Sequence, residues 1–158
     1  KMSLDEFHEV AKPYYEGNIT NPDIDLKKIS KLLQPRIDVL SKIPETIDFF
    51  DNLPEYDIEM YIHKKMKTTF EISLQSLKAA VDAFENLQEW NEETIHDTLM
   101  SLAQQMNLKN GQVMWPVRTA ITGKAVSPGG AIEIADILGK NETLNRIRIG
   151  IRKLENNL

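Results

Sequence analysis

The chain has 158 residues, 41% hydrophobic and 27% charged, which is ordinary for a soluble globular protein and enough for one sizeable core or two small packed subdomains. It has no cysteine, which excludes disulfides, thiolate catalysis and cysteine-bound zinc. The net charge of −5 argues against whole-face binding of nucleic acid, yet residues 1–106 carry 11 Lys+Arg against 20 Asp+Glu, whereas residues 107–158 carry 8 against 4. An acidic front and a basic rear fit a protein that meets phosphate along one limited surface. No apolar run approaches the ~20 residues of a membrane span, so no membrane partner is expected. The first residues, KMSLDEFHEV, lack the apolar centre of a signal peptide, and a reducing cytosol fits the absence of cysteine.

Nearly every segment reads as helix. Ser3 and Glu6 form a capping box ahead of Leu4, Phe7, Val10 and Ala11, which recur at helical spacing. Pro13 is expected to bend or end this helix, with Gly17-Asn18 closing it. Asn21-Pro22-Asp23 signals a turn. Leu26, Ile29, Leu32 and Leu33 make the next stripe, Pro35 breaks it, and a short helix is expected through Ile37, Leu40 and Ile43. Pro44 suits the first turn of a further helix. After the turn at Asn52-Leu53-Pro54, one or two helices are expected over 57–88, and Asn91 caps another whose stripe is Ile95, Leu99, Leu102, Ala103 and Met106. Asn110-Gly111 is expected to end that segment. Residues 112–122 are ambiguous by propensity, since VMWPVRTAIT favours strand while Pro116 disfavours a central one. Ser127-Pro128 reads as the start of a helix stopped by Gly139, and Asn141 as the cap of a last helix carrying Leu144, Ile147, Ile151 and Leu154. The expectation is an all-α fold of two packed helical subdomains, divided as 1–66 and 67–158.

Chemistry-bearing constellations are sparse. His8, His63 and His96 are far apart and lack the i, i+4 spacing of a helical metal site, so no metal is expected. There is no phosphate-cradling glycine loop and no nucleophile elbow. Asp23/Asp25 and Glu92/Glu93 sit at helix starts, where acidic residues complement the dipole, so no catalytic residue is nominated. Lys64-Lys65-Met66-Lys67 reads as a solvated helix end. Arg146, Arg148 and Arg152 offer either a phosphate-binding ridge or salt bridges. Trp115 is either a stacking platform for a base or a core tryptophan.

One stretch is more specific. Gly111-Gln112-Val113, Pro116-Val117-Arg118, Ala120, Thr122-Gly123, Ser127-Pro128-Gly129, Glu133, Leu138-Gly139-Lys140 and Arg146 together resemble the distal anticodon-binding end of bacterial-type glutamyl-tRNA synthetases. LLQPRIDVLSKIPETIDFF (32–50) and Glu89-Trp90-Asn91-Glu92-Glu93 are similar to upstream segments of the same family. The resemblance implies a non-catalytic, all-helical C-terminal region, helical also at 112–122, that holds the anticodon loop of glutamate tRNA. The family's ATP and magnesium belong to its catalytic domain, so no cofactor is expected in this segment. The expected setting is a cytoplasmic monomer with no DNA partner. Arg36 matches the arginine that discriminating members use on the third anticodon base. Arg118 and the Ser127-Pro128-Gly129-Gly130 turn match positions around the first two bases. Trp115, Lys124, Arg146, Arg148 and Arg152 are further candidates for backbone or stacking contacts. Two departures are visible: Met100 stands where some relatives place an arginine, and Gly130-Ala131 replaces a larger apolar pair.

Arginine at position 36 has a chemical logic. A guanidinium only donates, and the Watson–Crick edge of cytosine offers the acceptors N3 and O2, whereas guanine presents N1–H and N2–H donors. Opposing donors costs about 1–3 kcal/mol, or roughly tenfold to hundredfold in discrimination. The competing expectation for Arg36 is an ion pair with Asp38 or another acidic neighbour, and for Arg118 a pair with Glu133. The competing reading of the whole chain is a helical protein–protein interaction module, motivated by its acidic front half and long amphipathic faces.

Overall fold

The computed structural model describes residues 1–158. Eight α-helices follow one another: α1 (Leu4–Tyr15), α2 (Leu26–Leu33), α3 (Ile43–Asp51), α4 (Phe70–Glu85), α5 (Glu92–Gln105), α6 (Asn110–Thr122), α7 (Ala131–Leu138) and α8 (Lys140–Glu155). Two short 3-10 turns lie at Leu40–Lys42 and Ile58–Tyr61, and the one β-type contact is an isolated bridge between His63 and Thr68. The fold is all-α.

Local capping sets several of the starts. Glu6 N–H donates to Ser3 Oγ (3.2 Å) while Ser3 N–H donates to Glu6 Oε1 (2.8 Å), closing the capping box on α1. Asn91 does the same for α5: its side chain accepts from Thr94 N–H at 2.9 Å, and Thr94 Oγ1 accepts from Asn91 N–H at 3.0 Å. Pro44 lies in the first turn of α3, as expected.

As expected, Gly17, at φ +75°, closes α1, which runs through Pro13 to Tyr15. Three boundaries differ from expectation. No α-helix passes through Ile37, because only the 3-10 turn at Leu40–Lys42 fits between Pro35 and α3. Asn110-Gly111 opens α6 rather than ending α5, since α5 stops at Gln105 and Asn107 takes a left-handed φ of +58°. The Lys64–Lys67 run is a tight turn closed by the His63–Thr68 bridge, with Lys67 at φ +61°, not a helix end.

The ambiguous segment is helix α6, and Pro116 lies inside it. A proline there leaves the carbonyl of Gln112 without its helical donor. Ser76 Oγ of α4 donates to that carbonyl at 3.2 Å, so the gap is filled from a neighbouring helix.

Helix α1 packs on α2 and α3, α4 lies against α6 and α8, and α5 and α7 flank α6. Gly150 allows α8 to cross closely, since a Cβ there would collide with Tyr61 Oη. The buried apolar residues form one continuous cluster, from Phe7 and Tyr15 through Ile29, Phe50 and Leu77 to Ile134 and Leu154. Residue 66, where two subdomains were expected to meet, lies in the turn before α4. Front and rear meet through α2 against α7, through the 3-10 turn at Ile58–Tyr61 against α6, through the bond from Arg146 to Phe50 O, and through the ion pairs Lys28–Asp136 (3.1 Å), Lys124–Asp48 (2.8 Å) and Arg36–Glu133 (3.3 Å). No helix is long and apolar enough to cross a membrane.

Candidate nucleic-acid interface

The proline that ends α2 places Arg36 on an exposed corner, where Nη1 donates to the carbonyl of Leu32 at 2.7 Å. Its acidic partner is Glu133, not Asp38: Nη2 donates to Glu133 Oε2 at 3.3 Å. Glu133 belongs to the first turn of α7, and its other oxygen accepts the N–H of Gly130 at 2.9 Å. One carboxylate therefore caps a helix and anchors the guanidinium of Arg36, 97 positions away. Both side chains remain substantially exposed, 40% for Arg36 and 35% for Glu133, so the pair is within reach of a ligand.

The segment between α6 and α7 forms the other wall. Gly123 closes α6 in the left-handed region at φ +61°. Arg118, half-buried, curls back and donates from Nη1 to Lys124 O (2.8 Å) and from Nη2 to Ala125 O (2.6 Å). Burial holds its pKa below the usual arginine value, yet an arginine keeps its proton at any ordinary pH. Its Cζ lies 4.4 Å from the centroid of the Trp115 ring, a cation–π contact. Arg118 does not pair with Glu133; it holds the loop in shape. Ser127 Oγ donates to Gly129 O at 2.9 Å. Ser127-Pro128 does not start a helix: Gly129, at φ +95°, cannot continue one, and α7 begins at Ala131 with Gly130 as its cap. Similarly α8 begins at Lys140 with Gly139 as its cap, two positions before the expected cap Asn141.

Three depressions border the Arg36–Glu133 pair; one, of roughly 600 Å³, is lined by both residues together with Lys28, Lys31, Glu92, Glu93 and Asp136. A polar groove of roughly 820 Å³, of mixed charge, runs past Arg36, Lys42, Lys124, Val126, Ser127 and Pro128 and also past Asp38 and Glu45. An apolar cleft of roughly 390 Å³ lies between α6 and α7, lined by Met66, Met114, Trp115, Arg118, Gly130 and Ile132, with Glu133 at its edge. Val126, in the lining of the groove, is 85% exposed. Thus Arg36, Trp115, Arg118, Lys124 and the Ser127–Gly130 turn, scattered over 95 positions, converge on one face.

Three candidates lie elsewhere. Arg146 is withdrawn as an RNA contact: its side chain is 1% exposed, and it donates to Glu142 Oε2 (2.7 Å), Ile121 O (2.7 Å) and Phe50 O (3.4 Å). Its hydrogen bonds are spent tying α8 to the ends of α3 and α6. Arg148 and Arg152 are exposed on α8, but neither lines the groove or the cleft, and Arg148 pairs with Glu85. Trp115 is fixed rather than free: its Nε1 donates to Met60 O at 2.8 Å and its ring lies 4.2 Å from that of His63.

Sequence reasoning overlooked the double duty of Glu133, although its place three residues after Gly130 is a capping signal. It also overlooked Lys42, Val126 and the methionine-lined cleft, which no local pattern announces. The histidines have separate partners: His8 Nδ1 lies 2.6 Å from Ser30 Oγ, His63 Nδ1 accepts from Met66 N–H at 3.1 Å, and His96 sits beside Asp97. Ser30, the one serine beside a histidine, is fully buried and also shared with Tyr15 Oη at 2.6 Å.

The family model of an anticodon binding domain matches residues 6–151. A glutamate–tRNA ligase of Clostridium acetobutylicum is 57% identical over 155 residues, covering 98% of this chain and 32% of that protein. The glutamate–tRNA ligase of Clostridium tetani is 58% identical over 157 residues, covering 99% and 32%. A crystal structure of a glutamate tRNA ligase from Elizabethkingia meningosepticum superposes with a TM-score of 0.78 at 25% identity, covering 97% of this chain and 30% of that one. The chain spans about a third of the length of these curated relatives. Matched by that family model over nearly its whole length, and carrying an exposed donor-rich face built by α2, α6 and α7, the chain belongs to the anticodon binding domain family.

Proposed function

We propose that this chain is the anticodon-reading region of a glutamate–tRNA ligase and that its partner is the anticodon loop of glutamate tRNA. The region itself performs no chemistry: the ATP- and magnesium-dependent activation of glutamate and its transfer to tRNA belong to a separate catalytic domain of the same cytoplasmic enzyme. The protein acts here as a monomer that holds and inspects RNA.

One observation carries the reading. The Arg36 guanidinium stands exposed in a polar groove shared with Lys124 and the Ser127-Pro128 turn, and its partner Glu133 lines an apolar cleft of roughly 390 Å³. Of its five N–H donors, one goes to Leu32 O and one to Glu133, leaving three for a ligand. Cytosine presents acceptors to such a group and guanine presents donors, so a loop with cytosine at its third anticodon position is preferred. Lys42 and Lys124 supply backbone attraction that is indifferent to the base.

The test is binding of two hairpin RNAs, the glutamate anticodon stem-loop and its variant with guanine at the third position. The native chain is expected to favour the cytosine hairpin by about tenfold or more. R36Q is expected to bring the two affinities together. Equal, strongly salt-dependent binding of both hairpins by the native chain would overturn the proposal.

A further inference from the structure

We infer that Glu133 is a specificity-determining residue: it positions Arg36 for base reading and couples that arginine to the Ser127–Gly130 turn. The inference rests on the reading of Arg36 given above and assigns part of the selectivity to a residue that need not touch RNA.

An arginine on an exposed corner has many rotamers of similar energy, and freezing them on binding opposes association. Arg36 is held at two points instead. Leu32 O fixes Nη1 from its own helix, and Glu133 Oε2 fixes Nη2 from α7. Two anchors on different helices fix the plane of the guanidinium as well as its position, which a single bond would not. The remaining N–H donors then point in a set direction before any RNA arrives, so a mismatched base meets a donor that cannot readily swing away.

The second link is the turn. Oε1 of the same carboxylate accepts the Gly130 N–H, so any shift of the turn is passed to Arg36 through one rigid group. Gly129 is what allows this proximity: a Cβ there would lie 2.6 Å from Leu32 Cδ1 and 3.3 Å from Glu133 Oε1. Leu32, Glu133 and the turn therefore close on one another only because position 129 has no side chain. Glu133 also lines the apolar cleft, while its partner Arg36 lines the polar groove, so the ion pair links the two. A carboxylate near RNA repels phosphate, which weakens binding. Its presence beside a reading group thus favours selectivity at the expense of affinity.

E133A removes both hydrogen bonds. The preference for the cytosine over the guanine hairpin is expected to fall from about tenfold to under about threefold, while affinity for the guanine hairpin holds or rises. In the R36A background, E133A is expected to leave the ratio of the two affinities unchanged, because no guanidinium remains to be positioned. E133Q keeps the side-chain length but has one acceptor oxygen for two donors, so it is expected to fold and to lose selectivity in the same direction. It decides the matter should E133A prove too unstable. If native chain and R36A differ in selectivity but both Glu133 variants keep the native ratio, this inference is overturned and the role of Arg36 stands. If the native chain shows no preference, both fall together.

Discussion

Nη1 of Arg146 donates to the carbonyl of Ile121 at 2.7 Å, and both residues are sealed inside the protein. A charge so deeply placed is tolerated because Glu142 neutralises it from the preceding helical turn and the carbonyls of Ile121 and Phe50 each accept from one of its terminal nitrogens. The arrangement ties together the ends of α3 and α6 and the middle of α8. R146A would leave these acceptors unpaired and open a void. We expect a loss of about 3–5 kcal/mol in urea denaturation. The affinity of the remaining folded fraction for RNA is expected to be unchanged, in contrast to Arg36.

The proline within α6 gives a coupled pair. S76A removes the side-chain donor at the Gln112 carbonyl and should cost roughly 1–2 kcal/mol. P116A restores a backbone N–H that can reach the same carbonyl. In the P116A background, S76A is therefore expected to cost less than half as much. A double-mutant cycle from chemical denaturation measures the difference, and equal costs in both backgrounds would show that the hydroxyl does not replace the missing donor.

Acid sensitivity should have a local source at Asp51. Its carboxylate accepts the Thr20 N–H (2.8 Å), the Thr20 hydroxyl (2.8 Å) and the Asn21 N–H (3.3 Å). Hydrogen bonding, led by the Thr20 backbone N–H, holds its pKa below the usual carboxylate value. A lowered folded-state pKa stabilises the protein above the unfolded value of about 3.9, and that contribution disappears as pH falls through the folded value. D51A is expected to be less stable by about 1 kcal/mol at neutral pH, because the bonds to an exposed carboxylate are partly replaced by water. Its melting temperature should then fall less steeply than that of the native chain between about pH 5 and about pH 2.

Lys124 separates attraction from reading. Its Nζ pairs with Asp48 at the edge of the polar groove, where a phosphate could share the charge. K124A is expected to weaken binding of both hairpins equally. It should also reduce the slope of log affinity against log salt by about 0.7, the loss of one single-strand phosphate contact. A change in the cytosine-to-guanine ratio would count against a backbone role.

The sequence by itself determined that the chain is helical and where several helices begin. Ser3 with Glu6 and Asn91 with Thr94 act through bonds spanning three residues, and Pro44 acts through its own fixed φ, so a reader of the chain can see every group involved. It also nominated Arg36, Arg118 and the Ser127–Gly130 turn, which share one face. Tertiary structure alone decided which arginines are available. Arg146 and Arg148 stand two positions apart on α8, yet one fills the core and the other meets solvent, because the carbonyls that satisfy Arg146 come from Ile121 and Phe50, 25 and 96 positions away. The same holds for Glu133 and Arg36, and for the serine that mends α6. Hydrogen-bond acceptors brought together by helix packing leave no periodic trace in the chain, and it is those acceptors that fix where each charged side chain points.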